Sequence, residues 1–204
     1  MNNVNVYYFL EDIGLENFIK TLVTRIAGEE GLNARSVEHH VRNATGGKGK
    51  AMTQFHAFLR ELSAGQVGSV DLLVVAIDGN CIGHNEQRKK VLNVAKNEKY
   101  VGRIACAVPD PHIERWYLMD LDALSLALGE KPKYNLPPQK CDKDYYKGLL
   151  KQAIGSVGIK PPLGGVEYAD EIAANMDLYS AGKQEPSFKH FVDDVRAAIR
   201  QLQA

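Results

Sequence analysis

The chain has 204 residues, of which 45% are hydrophobic, and its 25 Lys and Arg balance its 25 Asp and Glu. This size and composition are typical of one globular domain, or of one domain with an appendage. The zero net charge excludes a protein held on nucleic acid or membrane by bulk positive charge, so a nucleic-acid role requires local basic patches.

Apolar runs and cysteines indicate the compartment. The longest apolar run, 72–77, is far shorter than the roughly 20 residues that span a bilayer, and no charged segment precedes an apolar one at the start. We therefore predict a cytoplasmic protein with no membrane partner. Its three cysteines are widely spaced and odd in number, so they are interpreted as reduced thiols.

Strand and helix patterns alternate along the first part of the chain. Apolar or β-branched runs predict strands at 4–10, 35–41, 70–77 and 102–108. Apolar residues at three- and four-residue spacing predict helices at 15–28, 52–62, 85–97, 112–119 and 122–128. Asp122 is taken as the cap of the last of these helices. The alternation predicts an α/β fold with an open, mainly parallel four-stranded sheet flanked by helices.

The remainder of the chain carries no strand pattern. A Pro- and Lys-rich loop is followed by predicted helices near 144–154, 168–178 and 187–202. We therefore divide the chain into an α/β domain, 1–128, and a helical C-terminal region, 129–204. The length of that region leaves open whether it packs as part of the same domain.

Acidic residues lie at one predicted edge of the sheet. Glu11 follows the first strand, Asp78 follows the third, and Glu114 lies in the first turn of the helix after the fourth. Ligands of open parallel sheets bind beyond the carboxyl ends of the strands, so these carboxylates are expected to face one crevice. Clustered carboxylates repel one another, and a divalent cation relieves the repulsion. Oxygen ligands favour Mg²⁺ or Mn²⁺ over zinc.

The segments around these acids resemble the Toprim fold. The segments are FLED, LLVVAIDGN and PDPHIERWYL, of which the last, with Pro111, Glu114 and Trp116, is the most specific. More narrowly, the chain is similar over 4–125 to small Toprim-like proteins of prokaryotic defence and mobile-element loci. Those proteins are related to the overcoming-lysogenization-defect nucleases.

The resemblance implies metal-dependent phosphodiester chemistry in anti-phage defence. By that resemblance Glu11 is a general acid/base or metal ligand, and Asp78 holds the metal. Glu114 is a further ligand or positions one, so the implied catalytic residues are Glu11, Asp78 and Glu114. Trp116 is a packing anchor. An ATPase partner is also implied.

The chain departs from the Toprim pattern at three positions. Asp12 stands where the family has glycine, and the second acid of the family is replaced by Asp12 itself or by Glu16. Asn80 stands where the family has the second aspartate of an Asp-x-Asp motif. An asparagine amide coordinates a cation through oxygen but brings no charge, so Asn80 is included with Glu11, Asp78 and Glu114 as a metal ligand of reduced strength.

Three basic stretches are candidates for contact with phosphate. They span 42–60, 88–103 and 131–160. Alternatively, each stretch is simply a solvated helix face or loop that binds nothing. We predict that Lys48 and Lys50, in the glycine-rich loop, and Arg88 and Lys89, which open the second stretch, contact nucleic acid. The glycine-rich loop does not fit the phosphate-loop template of nucleotide hydrolases.

Other patterns are weaker. Cys81 with His84 and the pair His39 and His40 lack the further ligands of a zinc site, so both are interpreted as structural. His112 lies near Glu114 and is either a phosphate donor or a packed side chain.

Three hypotheses follow for function. The first is a Mg²⁺- or Mn²⁺-dependent nuclease of Toprim type acting on DNA or RNA. The second is a catalytically weak Toprim-like module that binds nucleic acid or an ATPase subunit, and Asn80 motivates it. The third, a phosphohydrolase with Asp78 as covalent nucleophile, is disfavoured because Asn80 cannot protonate a leaving group.

Overall fold

A four-stranded parallel sheet forms the centre of the molecule. The computed structural model describes residues 3–45, 49–142 and 144–204. Its strands are β1 (Val4–Leu10), β2 (Val37–Asn43), β3 (Leu72–Ala76) and β4 (Ile104–Ala107). They lie in the order β2-β1-β3-β4, and every neighbouring pair is parallel. The predicted α/β class with an open parallel sheet is confirmed.

Helices connect the strands and then form the C-terminal region. The helices are α1 (Glu16–Glu29), α2 (Ala51–Ser63), α3 (His84–Asn97), α4 (Ile113–Leu118), α5 (Leu121–Leu128), α6 (Tyr145–Gly155), α7 (Ala169–Asn175), α8 (Leu178–Gln184) and α9 (Pro186–Gln203). Short 3-10 turns lie at Ile13–Leu15, Ala34–Ser36 and Val166–Tyr168. None of the helices in the described ranges has the length and hydropathy needed to cross a bilayer.

Two helix assignments differ from the sequence-based expectation by more than a one-residue shift of a helix end. The single helix expected over 168–178 is two helices, because Met176 is extended and Asp177 starts α8 by accepting the backbone N–H groups of Tyr179 and Ser180. The cap of α5 is Asp120, which accepts two N–H groups of its first turn, so the assignment of the cap to Asp122 is wrong. In both places a short polar side chain competes for the backbone N–H groups at a helix start.

Both faces of the sheet are buried. Side chains alternate along its central strands, so each strand contributes to a core on either face. Tyr8 of β1 and Val74 of β3 point to one core, which α1 and the C-terminal helices cover. Phe9 and Val75 point to the other core, which α2 and α3 cover. The continuous apolar pattern of β3 therefore reflects burial on two sides.

The C-terminal region packs against the sheet domain. Trp116 of α4 and Phe188 of α9 are fully buried in the same core, with ring centroids 5.1 Å apart. Beside them, Arg115 forms an ion pair of 2.8 Å with Glu185. Residues 129–204 thus complete the hydrophobic core on one face of the sheet.

Two of the three cysteines are joined. Cys81, after β3, forms a disulfide with Cys141, before α6. Cys106 of β4 is a buried free thiol. The expectation of three reduced thiols is wrong for the first two because the fold brings together positions that are 60 residues apart in sequence.

The strand order creates a crevice between β1 and β3. The chain leaves β1 through α1 on one face of the sheet to reach β2, and it leaves β3 through α3 on the other face to reach β4. The connections therefore diverge from the carboxyl edge between β1 and β3. In open parallel sheets, such a reversal of strand order is where ligands bind.

Candidate functional site

A polar cleft of about 390 Å³ opens at this edge of the sheet. It is lined by Glu11, Asp12, Ile13, Gly14, Leu15, Asp78, Asn80, His112, Ile113, Glu114, Asp144, Lys147, Leu163 and Val166. The three carboxylates selected from the sequence, Glu11, Asp78 and Glu114, all belong to this lining. The structure therefore brings together residues that follow β1 and β3 and a residue of α4.

Glu11 and Asp78 are linked directly across the crevice. The backbone N–H of Glu11 donates to the carbonyl of Ala76 at 2.9 Å, which extends the β1–β3 pairing past the end of β1. In return, the side chain of Glu11 accepts the backbone N–H of Asp78 through Oε2 at 3.0 Å. Glu11 therefore determines where the chain carrying Asp78 leaves the sheet.

His112 is a partner of Asp78. It occupies the cap position of α4 in an extended conformation, and its Nδ1–H donates to Oδ2 of Asp78 at 3.1 Å. The sequence places His112 near Glu114 but does not predict its pairing with Asp78. The only sequence signal was its position two residues before Glu114, which does not specify a partner on another strand.

Glu114 is an acid with an unusual environment. Only 7% of its surface is exposed, and burial raises the pKa of its carboxyl group. The negative charge of Asp78 raises that pKa further, whereas Lys147 and His112 oppose the shift. Below it, Tyr117 is fully buried and donates to the carbonyl of Gly14 at 2.8 Å. Glu114 and Asp78 therefore repel each other in a partly desolvated cleft.

A buried aspartate, which the sequence pattern did not single out, holds the loop after β3. Asp110 accepts the backbone N–H of Cys81 through Oδ1 at 2.9 Å and the amide of Gln139 through Oδ2 at 2.8 Å. A Cβ atom on Gly79 would lie 2.7 Å from Oδ1 of Asp110, so only glycine permits this close approach. Asp110 thus holds in one place the loop that carries Asp78.

Asn80 is held in the same loop. Its backbone is left-handed, with φ of 51°, and its N–H donates to the carbonyl of Pro111 at 2.9 Å. Its side-chain amide N–H donates to the carbonyl of Asp78 at 3.0 Å. The amide oxygen is buried and accepts no hydrogen bond from any residue that the structure describes. That oxygen is therefore available to a ligand.

Comparison with models of known protein families finds a match for this chain. The family described as "Domain of unknown function (DUF4276)" matches residues 10–196. The chain belongs to the DUF4276 family. Comparisons with curated proteins and with solved structures find no match. The family match spans most of the sheet and the C-terminal helices. All the residues that line the cleft, from Glu11 to Val166, therefore lie within the DUF4276 match.

Asp12 and Glu16, the two candidates for the second acid of the Toprim pattern, have different positions relative to the cleft of this DUF4276 chain. Asp12 lines the cleft, and its side chain accepts the backbone N–H of Gly14 at 2.6 Å. Glu16 forms an ion pair of 3.2 Å with Lys20 and accepts the amide of Asn43. Glu16 is not among the residues that line the cleft.

The basic residues predicted to contact nucleic acid differ in their surroundings. Lys48 lies outside the described residues. Lys50, which precedes α2, and Lys89 of α3 are exposed. Arg88 forms an ion pair of 2.9 Å with Asp194 and so connects α3 to α9. Contact of these side chains with nucleic acid stays a prediction.

The donor set of the cleft fits a hard divalent cation. The repulsion between Glu114 and Asp78 and the buried amide oxygen of Asn80 are features that such a cation would relieve. Within residues 3–45, 49–142 and 144–204, no group of three or more His, Cys, Asp or Glu side chains is arranged to hold a metal ion. Mg²⁺ typically uses one or two carboxylates and keeps several waters, so a partial protein set is compatible with it.

Proposed function

We propose that this DUF4276 chain hydrolyses phosphodiester bonds of DNA or RNA in the cleft, with Mg²⁺ or Mn²⁺ as cofactor. The observation that carries the proposal is the convergence of Glu11, Asp78 and Glu114 where the strand order reverses between β1 and β3. Phosphoryl chemistry commonly uses oxygen-ligated divalent cations, and this edge of a parallel sheet is the expected place for them.

Each residue has a distinct task in the proposed reaction. Asp78, Glu114 and the amide oxygen of Asn80 would hold the cation, which when bound polarises the phosphate and lowers the pKa of attacking water. Glu11 positions Asp78 by accepting its backbone N–H at 3.0 Å. His112 orients the Asp78 carboxylate by donating to Oδ2 at 3.1 Å, as side chains around metal ligands commonly do.

The order of the acids along the fold supports a Toprim type of site. An acid follows the first strand, another follows the strand next to it, and a third enters from α4. This is the arrangement that the resemblance implies for residues 4–125. The ATPase partner and the role in anti-phage defence stay predictions of the same resemblance.

A second candidate function is a binding module with weak catalysis. Asn80 favours it, because the side chain at this position brings no charge and its amide N–H is already bound to the carbonyl of Asp78. In this alternative the cleft binds nucleic acid or a protein partner without cleaving a bond.

Metal titration and cleavage assays on the same samples test the proposal. Calorimetry with Mg²⁺ and Mn²⁺ is performed on wild type, Glu11→Gln, Asp78→Asn and Glu114→Gln. The control is Glu16→Gln, which removes one charge near the sheet but outside the cleft. We expect Asp78→Asn and Glu114→Gln to abolish metal binding and cleavage of labelled DNA and RNA, and the control to retain both.

The outcomes separate the two candidate functions. Wild-type protein that binds nucleic acid but cleaves none with either metal would refute the nuclease and support the binding module. Wild-type protein that cleaves equally well after Asp78→Asn would place the chemistry elsewhere.

A further inference from the structure

A lysine from the C-terminal region faces the acids of the cleft. Among the described residues that line the cleft, Lys147 of α6 is the one Lys or Arg side chain. The Asp and Glu residues of the lining follow β1 and β3, lie in α4, or directly precede α6. The charge of Lys147 acts on the site, because it lowers the pKa of Glu114 against the larger effect of burial.

Tyr146 precedes Lys147 and Arg115 follows Glu114, and these two neighbours are joined by a hydrogen bond. Tyr146 is fully buried, and its hydroxyl oxygen accepts a hydrogen bond from Nη1 of Arg115 at 2.9 Å. The guanidinium of Arg115 also lies over the Tyr146 ring, 5.4 Å from its centroid. The same hydroxyl accepts the backbone N–H of Lys140 at 2.9 Å. The backbone of Lys147 is therefore held at a constant position relative to that of Glu114, although its side chain is exposed.

An acidic cleft presents a difficulty for a nucleic-acid substrate. Carboxylates of the cleft such as Glu11 and Asp78 repel a phosphate backbone, and a bound cation would neutralise charge only at the reacting phosphate. A lysine ammonium is a compact point charge on a flexible stem, which suits a phosphate whose exact position varies.

We propose that Lys147 binds a backbone phosphate of the nucleic-acid substrate beside the reacting one. The helical C-terminal region is then part of the substrate-binding site. This inference rests on the proposed function, which supplies the substrate class. Lys147 is a positioning residue in this scheme, because it holds the strand while the acids carry out the chemistry.

Binding measured as a function of salt tests the inference. Fluorescence anisotropy follows a labelled 20-nucleotide DNA or RNA strand, with Ca²⁺ at saturating concentration in place of Mg²⁺. Each phosphate contact by a cation contributes about 0.7 to the slope of log affinity against log salt for a single strand. We expect Lys147→Ala to reduce the slope by about that amount and the affinity by about 10-fold. Lys147→Arg should preserve the slope.

Lys151→Ala is the matched control. Lys151 lies one turn further along α6, is exposed, and is outside the lining of the cleft. The substitution removes the same charge from the same helix, so an effect of overall charge would appear in both variants. With Mg²⁺ saturating, we expect Lys147→Ala to raise KM about 10-fold with a smaller change in kcat, and Lys151→Ala to leave both unchanged.

The failure of this inference differs from the failure of the proposed function. If wild type cleaves and Lys147→Ala has the same salt slope and KM as Lys151→Ala, the role of Lys147 is refuted while the nuclease stands. If wild type neither binds nor cleaves any strand, the proposed function fails, and the inference fails with it.

Discussion

The disulfide between Cys81 and Cys141 makes the most direct prediction about the molecule. It joins the loop that follows β3, where Asp78 and Asn80 lie, to the segment that leads into α6. The double variant Cys81→Ser/Cys141→Ser removes the covalent connection and leaves the buried Cys106 in place. We expect this variant to be less stable than the oxidised wild type.

The magnitude follows from the loop that the disulfide closes. The two cysteines are 60 residues apart. The chain-entropy relation for a loop of this length gives about 14 cal/mol/K of unfolded-state entropy removed, or about 4 kcal/mol at 25 °C. For a domain of ordinary stability this is a large fraction of the free energy of unfolding.

Urea unfolding with and without a dithiol reductant measures the effect. Oxidised wild type should lose about 4 kcal/mol when reduced, whereas the double variant should match reduced wild type and should be insensitive to the reductant. Thiol titration of oxidised, denatured wild type should find one reactive thiol, from Cys106. Three reactive thiols, or equal unfolding free energies for oxidised wild type and double variant, would refute the reasoning.

Three further predictions concern the site and the core. Gly79→Ala should cost about 1–3 kcal/mol in unfolding experiments, because its Cβ would lie 2.7 Å from a buried carboxylate oxygen. The control Gly28→Ala, in α1 with nothing within 4 Å, should stabilise the protein by about 1 kcal/mol. Glu114→Gln should raise the unfolding free energy by about 1 kcal/mol at pH 7.5. The folded-state pKa of Glu114 is raised, so its contribution to stability is full at low pH and is lost as pH rises through that pKa. The gain should therefore shrink towards pH 4 in thermal unfolding, and a gain that grows instead would contradict the assigned shift. Phe188→Ala should cost about 3–5 kcal/mol, and Trp116 fluorescence should still report one cooperative transition. Two separate transitions would show that the C-terminal region does not share the core.

The periodicity of the sequence was sufficient to predict the main architecture. The bounds of β1, 4–10, agree with the structure, and the uninterrupted apolar run at 70–77 contains β3. Both succeed because burial on two faces favours apolar residues at nearly every position of a strand. Hydrophobic periodicity did not predict the break between α7 and α8. The break depends on the side chain of Asp177, which accepts backbone N–H groups and so starts a new helix.

The candidate site was predictable in part. Because parallel strands end at the same edge, an acid directly after each of two strands is expected near the other, and this reasoning found Glu11 and Asp78. Glu114 was found from its place after the fourth strand. The partners of these acids were not found, because the pairing of His112 with Asp78 and the anchoring role of Asp110 depend on which loops meet in space.

The sequence by itself determined the alternation of strands and helices, the parallel sheet and the edge at which its acids collect. These follow from hydrophobic periodicity and chain chirality, which act over short stretches of chain. Only the tertiary structure decided the strand order, the joining of Cys81 to Cys141 and the position of Lys147 opposite Glu114. Each of these depends on packing between segments far apart in sequence, and no local pattern encodes which distant segment a loop or helix will meet.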